Sequence, residues 1–307
     1  MLQKAKQISV NLVIRARSVP LRQFLAQPSL FAIPLIILYT IAATGFGIAW
    51  YGYHLRKPIV GRSLHFFPFP AALVNGGVVW SAELNRQLNF VGQFSEKTGQ
   101  SQVLTQQAPP KIFDRLIENK MVAKEAQRAG VRVSSAQLND AYKAVADRHG
   151  GPEEVAKVLV NLYGMKPADF KKLIGGELVK QQVRDELLLN IKLRHILVKD
   201  ESRAKQVIEK LKGGAKFEDV AKEFSEDKDS RDKGGELGFV HRGQVNDAVF
   251  NAAAGATVGL FSEQPVKSDL GFHVIIVDER RGSVDKTYDQ WFDELKARTK
   301  VIRLVKI

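Results

Sequence analysis

Two short apolar segments, each beginning at a histidine, constrain the fold of this chain more than any other feature. One begins at His195 and the other at His273, and both are rich in β-branched residues and bounded by charge or glycine. These properties are typical of buried strands. Between them, apolar residues recur at spacings of three and four, which predicts two helices over residues 201–224. The stretch from Arg194 to Asp278 is therefore predicted to be a β-α-α-loop-β unit.

The motifs within this stretch resemble those of the parvulin-type peptidyl-prolyl isomerases. They are R-H-I-L-V, which contains His195, the S-x-D that ends at Asp227, K-G-G-x-L-G, and S-D-L-G-F-H-V-I, which contains Ser268 and His273. The resemblance covers the whole stretch and implies a four-stranded antiparallel sheet with surrounding helices. Both histidines are then expected to meet in the middle of the sheet.

The resemblance also implies roles for four residues. His195 and His273 correspond to the paired imidazoles of the catalytic centre, Asp227 stands where relatives carry Cys or Asp, and Ser268 matches a Ser/Thr that hydrogen-bonds one histidine. Rotation about an X–Pro bond has to cross a barrier of about 20 kcal/mol, and groups that favour the twisted amide lower it without a nucleophile, so we expect no metal or cofactor. A histidine at the start of a buried strand also fits a purely structural role, and that alternative stays open.

The predicted proline pocket departs from the family pattern. Relatives follow Gly-Gln with a stretch of the M-V-P-x-F kind, whereas Gly243-Gln244-Val245 is followed at once by residues 246–250, so the Met and Phe of the pocket are missing. We predict a shallow pocket and weak or absent isomerase activity. Gly234-Gly235 are interpreted as turn residues with positive φ. The residues assigned to substrate binding are Leu237, Val245, Val249, Leu270 and Phe272.

Upstream of this stretch, a hairpin precedes a series of amphipathic helices. Asn75-Gly76 between two apolar runs predicts the hairpin, and Ser81 is predicted to cap a helix that begins at Ala82. A polar loop or helical extension is expected at 92–108, with helices resuming at Pro109-Pro110. Helix starts and glycine stops predict three more helices, beginning near Ser134, Pro152 and Pro167.

This arrangement resembles the N-terminal chaperone module of SurA-, PrsA- and PpiD-like foldases, through V-N-G followed by E-L-N and through residues 116–133. In those foldases a C-terminal piece returns to pair with the hairpin. We therefore expect residues 301–307 to form a strand beside Leu73-Val74 and Val78-Val79. The isomerase-like domain is then an insertion between two halves of the chaperone domain.

The N-terminal part is basic and then apolar. The sequence has a net charge of +13 and no cysteine, and no acidic residue precedes Glu83. Residues from Leu30 to Trp50 include no charged residue, and about twenty apolar residues span a bilayer as a helix. A cleaved signal peptide is the alternative, but the leader is long and no clear A-x-A site follows. The basic residues slightly favour a cytoplasmic N-terminus, and no nucleic-acid-binding motif is present.

Together these features predict an α+β protein with a transmembrane helix, a mainly helical SurA-N-like domain and an inserted parvulin-like domain. The expected boundaries are 1–28 for a basic cytoplasmic leader, 29–53 for the transmembrane helix, 54–70 for a linker, 71–192 for the chaperone-like domain, 193–282 for the parvulin-like domain and 283–307 for a C-terminal helix and strand.

The leading functional hypothesis is a foldase anchored in the bacterial inner membrane, with its folded domains in the periplasm. Its partners are then unfolded or newly translocated polypeptides, together with membrane lipid around the helix, and not nucleic acid. The alternative is a non-catalytic docking subunit of an envelope secretion or surface-polymer complex. A soluble periplasmic isomerase released by cleavage is the third possibility.

Overall fold

The computed structural model describes residues 28–48, 51, 67–99 and 103–306. They fall into two compact units, of which one contains the first helix and the other runs from Pro70 to Arg303. The predicted basic leader (1–28) and linker (54–70) lie almost entirely outside the described residues, as does the end of the predicted transmembrane segment.

The first unit contains helix α1, Pro28–Gly47. Thr40 and Thr44 donate their hydroxyl protons to backbone carbonyls one turn earlier, both at 2.8 Å. Ile37 and Ile41 are exposed. Within the described residues, no helix combines the length and the apolar character that a membrane crossing requires.

The second unit begins with a hairpin that becomes a three-stranded sheet. Strands β1 (Pro70–Val74) and β2 (Gly77–Trp80) form the predicted hairpin, and Asn75 and Gly76 of its turn both have positive φ. A late strand, β7 (Val301–Arg303), pairs with β1 and gives the order β2-β1-β7. The expected contact of this strand with Val78-Val79 was wrong, because β1 lies between β7 and β2.

Five helices follow the hairpin: α2 (Ser81–Thr98), α3 (Val103–Arg128), α4 (Ser135–Arg148), α5 (Pro152–Val158) and α6 (Pro167–Gln182). Helix α4 begins with a capping box between Ser134 and Gln137, which explains why the sequence located its start correctly. Helices α5 and α6 each run into one π-helical turn, Leu159–Tyr163 and Val183–Leu187. These helices form the mainly helical part of the protein.

Two helix starts differ from the prediction. Helix α2 begins at Ser81 itself, so Ser81 is its first helical residue and Trp80 occupies the N-cap position. Helix α3 begins at Val103, upstream of Pro109-Pro110. Residues 92–98 end α2 and 103–108 begin α3, so the described part of 92–108 is the expected helical extension and not a loop. The helix start was predicted at Pro109-Pro110 because proline is favoured in the first turn of a helix. Proline is also found inside a helix, where it removes one backbone hydrogen bond.

The four-stranded antiparallel sheet is built from β3 (Asn190–Val198), β4 (Glu236–His241), β5 (Val266–Ser268) and β6 (Gly271–Arg281), in the order β4-β3-β6-β5. Helices α7 (Glu201–Lys212) and α8 (Phe217–Phe224) follow β3, and α9 (Asp247–Gly255) follows β4. Helix α10 (Tyr288–Arg298) connects β6 to β7. The predicted sheet is thus confirmed.

The two faces of this sheet carry different side chains. On one face, here called the helix-pair face, Ile196, Val198, Val274 and Ile276 pack against α7 and α8. On the opposite face, Ile191, Leu193, Ile275 and Val277 pack against α9. Side chains alternate between faces along a strand, so His195 and His273 share the second face with Leu193 and Ile275. We call it the histidine face.

Candidate active site

Strand register brings the two histidines together. Leu197 stands opposite His273 and His195 stands opposite Ile275, so the histidines occupy diagonal positions on neighbouring central strands. Their Nδ1 atoms lie 3.1 Å apart, and the ring centroids are separated by 5.3 Å with an interplanar angle of 27°. Both side chains are buried, His195 with 7% and His273 with 2% of its surface exposed.

The imidazole pair forms the middle of a longer hydrogen-bond chain. His195 Nε2 lies 2.8 Å from Asp227 Oδ2, and His273 Nε2 lies 2.7 Å from Ser268 Oγ. Ser230 donates its hydroxyl proton to Asp227 Oδ2, and the backbone N–H of Leu270 donates to Ser268 Oγ at 3.1 Å. All four residues assigned to the catalytic centre from the sequence therefore lie in one connected chain.

One set of proton positions satisfies every atom of this chain. Asp227 is a carboxylate and can only accept, so His195 donates from Nε2, and with a single proton on its ring His195 accepts at Nδ1. His273 then donates from Nδ1 to His195, which leaves its Nε2 to accept from the Ser268 hydroxyl. The backbone N–H of Leu270 occupies the remaining acceptor site of Ser268. The two ends of the chain thus select one tautomer for each neutral histidine.

The pKa values agree with these proton positions. Burial, together with the smaller effect of the neighbouring His195, lowers the pKa of His273 to about 4, so His273 is neutral at neutral pH. Burial acts to raise the pKa of Asp227, but hydrogen bonds from Ser230 and His195 outweigh that effect and hold the pKa below its usual value. The hydrogen-bond chain therefore has a negative end at Asp227 and a neutral end at His273.

The loop after α8 brings Asp227 to His195. β4 pairs only with residues 190–194 of β3, and beyond them this loop lies along the same edge of β3. There the backbone N–H of Glu226 donates to the carbonyl of Leu197 at 2.8 Å. The backbone N–H of Asp229 donates to Asp227 Oδ1 at 3.2 Å, which closes a local turn around the carboxylate. The Asp227 carboxylate is thus oriented both by its own loop and by Ser230.

Gly235 permits the close approach of the loop to β3. Its φ is +79°, as its interpretation as a turn residue predicted, and its carbonyl accepts a hydrogen bond from the backbone N–H of His195 at 2.9 Å. A Cβ atom at this position would lie 2.3 Å from the carbonyl oxygen of His195. Only glycine therefore fits here, for steric as well as conformational reasons.

The five residues assigned to substrate binding do not form one group. Leu237, Val245 and Val249 pack in the core cluster of the histidine face, and Val249 is only 2% exposed. Leu270 is 67% exposed in the turn next to Ser268. Phe272 packs against the helix-pair cluster and lies on the opposite face from the histidines. The structure thus brings Leu237, Val245 and Val249 together and places Leu270 and Phe272 elsewhere.

Ser230 and Gly235 belong to the site but were not assigned to it from the sequence. A serine three residues after an aspartate is a common turn pattern and gives no sign of its partner. The positive φ of Gly235 was expected, but its contact with the His195 carbonyl depends on strand pairing. Among the residues that the structure describes, no three His, Cys, Asp or Glu side chains are arranged to hold a metal ion.

Comparison with known families agrees with both parts of the fold. The model of the PPIC-type PPIase domain matches residues 177–281, and the model of the SurA N-terminal domain matches residues 70–189. The class of protein is therefore a parvulin-type isomerase domain joined to a SurA N-terminal domain. The paired histidines and their hydrogen-bond chain lie entirely within the first match.

Three curated relatives indicate which family within this class the chain belongs to. Foldase protein PrsA 3 of Bacillus anthracis is 30% identical over 223 residues, which are 72% of this chain and 71% of the relative. Foldase protein PrsA 2 of Bacillus cereus is 36% identical over 57% of this chain, and that of Bacillus anthracis is 34% identical over 55% of it. The chain spans only 64% and 55% of the lengths of these last two. The chain belongs to the PrsA foldase family.

Proposed function

We propose that this protein is a membrane-anchored foldase that rotates X–Pro bonds in unfolded polypeptides outside the cytoplasm. The observation that carries the proposal is the closed hydrogen-bond chain from Asp227 through His195 and His273 to Ser268. Such a hydrogen-bond chain fixes both imidazoles in one orientation on a sheet face. Fixed dipoles stabilise a twisted amide without having to reorganise as it forms.

The arrangement favours rotation over covalent chemistry. His273 has a pKa lowered to about 4 by burial, so it is a poor proton acceptor at neutral pH. Its two ring nitrogens are also engaged by His195 and Ser268. The site presents a rigid polar surface beside apolar side chains. Catalysis of rotation about an X–Pro bond requires no further chemical group.

The proposed activity is weak, because the predicted pocket residues are distributed unfavourably. Val249 is buried in the core, Phe272 lies on the other face, and Leu270 is exposed in a turn. Helix α9 begins at Asp247 directly after the short loop, with Asn246 as its cap. These placements support a shallow binding surface for the proline ring.

Protease-coupled isomerisation of X–Pro tetrapeptides tests the proposal. The full chain in detergent micelles is expected to accelerate isomerisation, and His195→Ala/His273→Ala is expected to abolish the effect. Glu209→Ala/Lys212→Ala is the matched control, because both residues are exposed on α7, which packs on the face opposite the histidines. Absence of acceleration by a folded protein, as judged by circular dichroism, would refute the isomerase and favour a docking subunit.

We further propose that the helical part binds the unfolded clients. A cavity of about 650 Å³ lies between α4, α5 and α6, and its lining includes Val145, Val158, Tyr163 and Phe170. Exposed Val160 and Leu162 lie on the adjoining π turn. Suppression of aggregation of a reduced, unfolded test protein measures this activity. Val158→Asp is expected to weaken it, whereas Val258→Asp, an exposed valine elsewhere, is expected not to.

The proposed membrane anchor rests on the uncharged segment from Leu30 to Trp50 and the basic residues before it. Carbonate extraction of cell membranes should leave the protein in the pellet. Protease added to spheroplasts should digest the domains after residue 70 while the N-terminus stays protected. Release into the soluble fraction after carbonate would overturn the anchor, and digestion of the N-terminus alone would reverse its orientation.

A further inference from the structure

The loop between β4 and α9 is tied to the turn between β5 and β6 by one asparagine. Asn246 occupies the N-cap position of α9, and its Oδ1 accepts a hydrogen bond from the backbone N–H of Ala248 at 2.9 Å. Its Nδ2 donates to Asp269 Oδ1 at 2.6 Å, although the two residues are 23 positions apart in the chain. Both polar groups of the Asn246 side chain are therefore engaged, and the Asp269 carboxylate is directed toward the start of α9.

The Asp269 carboxylate borders the histidine face. Side chains alternate along β5, and Val266 packs in the core cluster of the histidine face, so Ser268 lies on that face as well. Asp269 directly follows Ser268, whose hydroxyl donates to His273, and it points toward the helix that packs on the same face. Burial is the largest influence on the pKa of His273 and lowers it, whereas Asp269 acts in the opposite direction, as a nearby negative charge does. The carboxylate therefore lies at the neutral end of the hydrogen-bond chain.

No cation among the described residues neutralises the charge of Asp269. The carboxylate forms no ion pair there and accepts a hydrogen bond from the neutral amide of Asn246. Lys267 is two residues away, but the alternation of side chains along β5 places it on the helix-pair face. The pKa of Glu201, on α7, is lowered mainly by Lys205 and to a smaller extent by Lys267, which agrees with that position. The exposed Asp269 can therefore attract a cation that a client brings.

The shortened loop between β4 and α9 places this polar link beside the isomerisation site. The sequence resemblance assigns the apolar pocket to a Met and a Phe that follow Gly-Gln in relatives, and both are missing after Gly243-Gln244. The loop ends instead at Asn246, which is bonded to Asp269. The client residue before the proline is the one that meets this charge, because its carbonyl belongs to the rotating bond and consecutive Cα atoms are about 3.8 Å apart.

We propose that Asp269, held by Asn246, determines substrate specificity by favouring prolines that follow a lysine or an arginine. This inference rests on the proposed function, because it assigns a preference to the same isomerisation site. An ammonium or guanidinium group can form a charge-assisted hydrogen bond with the carboxylate, whereas a glutamate in its place is repelled. The ion pair is exposed to solvent, so the preference is modest and weakens with salt.

Isomerisation of three peptides of the form Ala-X-Pro-Phe tests the proposal on the full chain in non-ionic detergent micelles. Residue X is lysine, Nε-acetyl-lysine or glutamate, and acetylation removes the charge of lysine while keeping most of its shape. At an ionic strength of about 10 mM, kcat/KM is expected to be about threefold higher for lysine than for acetyl-lysine, and about tenfold higher than for glutamate. At about 1 M salt, where the Debye length is about 3 Å, the differences should nearly disappear.

Variants locate the preference. Asp269→Asn keeps an acceptor for Asn246 and removes the charge, so the lysine-to-glutamate ratio should fall to about one, and Asp269→Lys should reverse it. Asn246→Ser retains a cap for α9 but breaks the link to Asp269, and the ratio should fall to about threefold because the carboxylate is no longer held. Asp219→Asn, at an exposed carboxylate on α8 against the opposite face, should keep the ratio. Melting temperatures check that each variant is folded.

Equal kcat/KM for the three peptides overturns the proposal, and so does a ratio that the Asp269 variants leave unchanged. Loss of the ratio in Asp219→Asn also overturns it, since the effect is then general electrostatics. If no peptide is isomerised, the proposed function fails, and saturation-transfer NMR observed on the same peptides decides the specificity separately. Stronger transfer to the lysine peptide that disappears in Asp269→Asn would keep Asp269 as a charge-selecting residue, and equal transfer to all three would refute that role too.

Discussion

The two faces of the four-stranded sheet use the same two central strands for different purposes. On the helix-pair face, Ile196, Val198, Val274 and Ile276 form one continuous apolar cluster with α7 and α8. On the histidine face, the same strands place two imidazoles between a carboxylate and a hydroxyl. The helix-pair face is thus apolar around the central strands, whereas the histidine face combines an apolar cluster against α9 with a chain of oriented polar groups.

This difference shows how the four-stranded sheet keeps a polar site rigid. Buried polar groups contribute little net free energy, while apolar side chains contribute about 1.5–3 kcal/mol each. The helix-pair face therefore holds the strands in register, and the register sets the 3.1 Å separation of the imidazole nitrogens. Changes on the first face should act on stability, and changes on the second should act on activity and on pH dependence.

The largest expected effect is a loss of stability on the helix-pair face. Ile208 of α7 is 3% exposed in that cluster, and Ile208→Ala should lower the free energy of unfolding by about 2–5 kcal/mol. Urea denaturation measures the change. Gln206→Ala, on the exposed side of the same helix, should stay within about 0.5 kcal/mol. Isomerisation per folded molecule should not change, and a clear decrease would contradict the division of roles.

The second effect is a pH dependence that belongs to the histidine face. The pKa of His273 is about 4 in the folded protein, below its ordinary value of 6.5. Between these values the unfolded chain binds a proton that the folded chain does not, so stability decreases as pH falls from 6.5 to 4. The decrease due to His273 is about 3 kcal/mol.

Denaturation midpoints at pH 7, 5.5 and 4 measure this dependence. His273→Gln should make the decrease shallower, because the titrating group is removed. His149→Gln, which removes an exposed histidine, should follow the wild type. Identical slopes for the His273 variant and the wild type would show that burial of this ring does not control the acid stability of the domain.

The third effect is on catalysis at the charged end of the hydrogen-bond chain. In Asp227→Asn an amide replaces the carboxylate that accepts from His195 and Ser230, so the direction of the chain is no longer fixed. We expect kcat/KM for X–Pro isomerisation to fall about 10–100-fold. Asp229→Asn, which changes an exposed neighbour in the same loop, is the control. Equal activity of the two variants would argue against a role for the hydrogen-bond chain in isomerisation.

The smallest effect is expected at the neutral end. Ser268→Ala removes the donor to His273 Nε2, but the Asp227 end still orients His195. A decrease in kcat/KM of about threefold is expected, because one neutral hydrogen bond contributes about 1 kcal/mol or less. Ser283→Ala, at an exposed serine, should have no effect. A decrease at Ser268 larger than that at Asp227 would reverse the proposed order of importance.

Much of the four-stranded sheet could be predicted because its signals are local or belong to recognised motifs. His195, Asp227, Ser268 and His273 were assigned together, and the structure joins them in one chain. The pocket residues were harder to place. Phe272 lies one residue before His273, and the alternation of side chains along a strand puts it on the opposite face.

Other features left no local signal in the sequence. The choice of β1 and not β2 as the neighbour of β7 depends on which strand edge is open in three dimensions. The π turns after α5 and α6 disturb the apolar spacing too little to be seen in a pattern. Helix α3 begins at Val103, although Pro109-Pro110 usually indicates that a helix begins there. Each of these depends on tertiary contacts.

The pairing of β7 with β1 has a consequence for the order of folding during synthesis. The pairing of Val74 with Val301 closes a loop that contains the helices and the entire four-stranded sheet. A hairpin of β1 and β2 alone is marginally stable in water. The four-stranded domain can therefore fold as soon as it is made, whereas the three-stranded sheet waits for a strand synthesised later. Between these two events the hairpin has an open edge that other chains can reach.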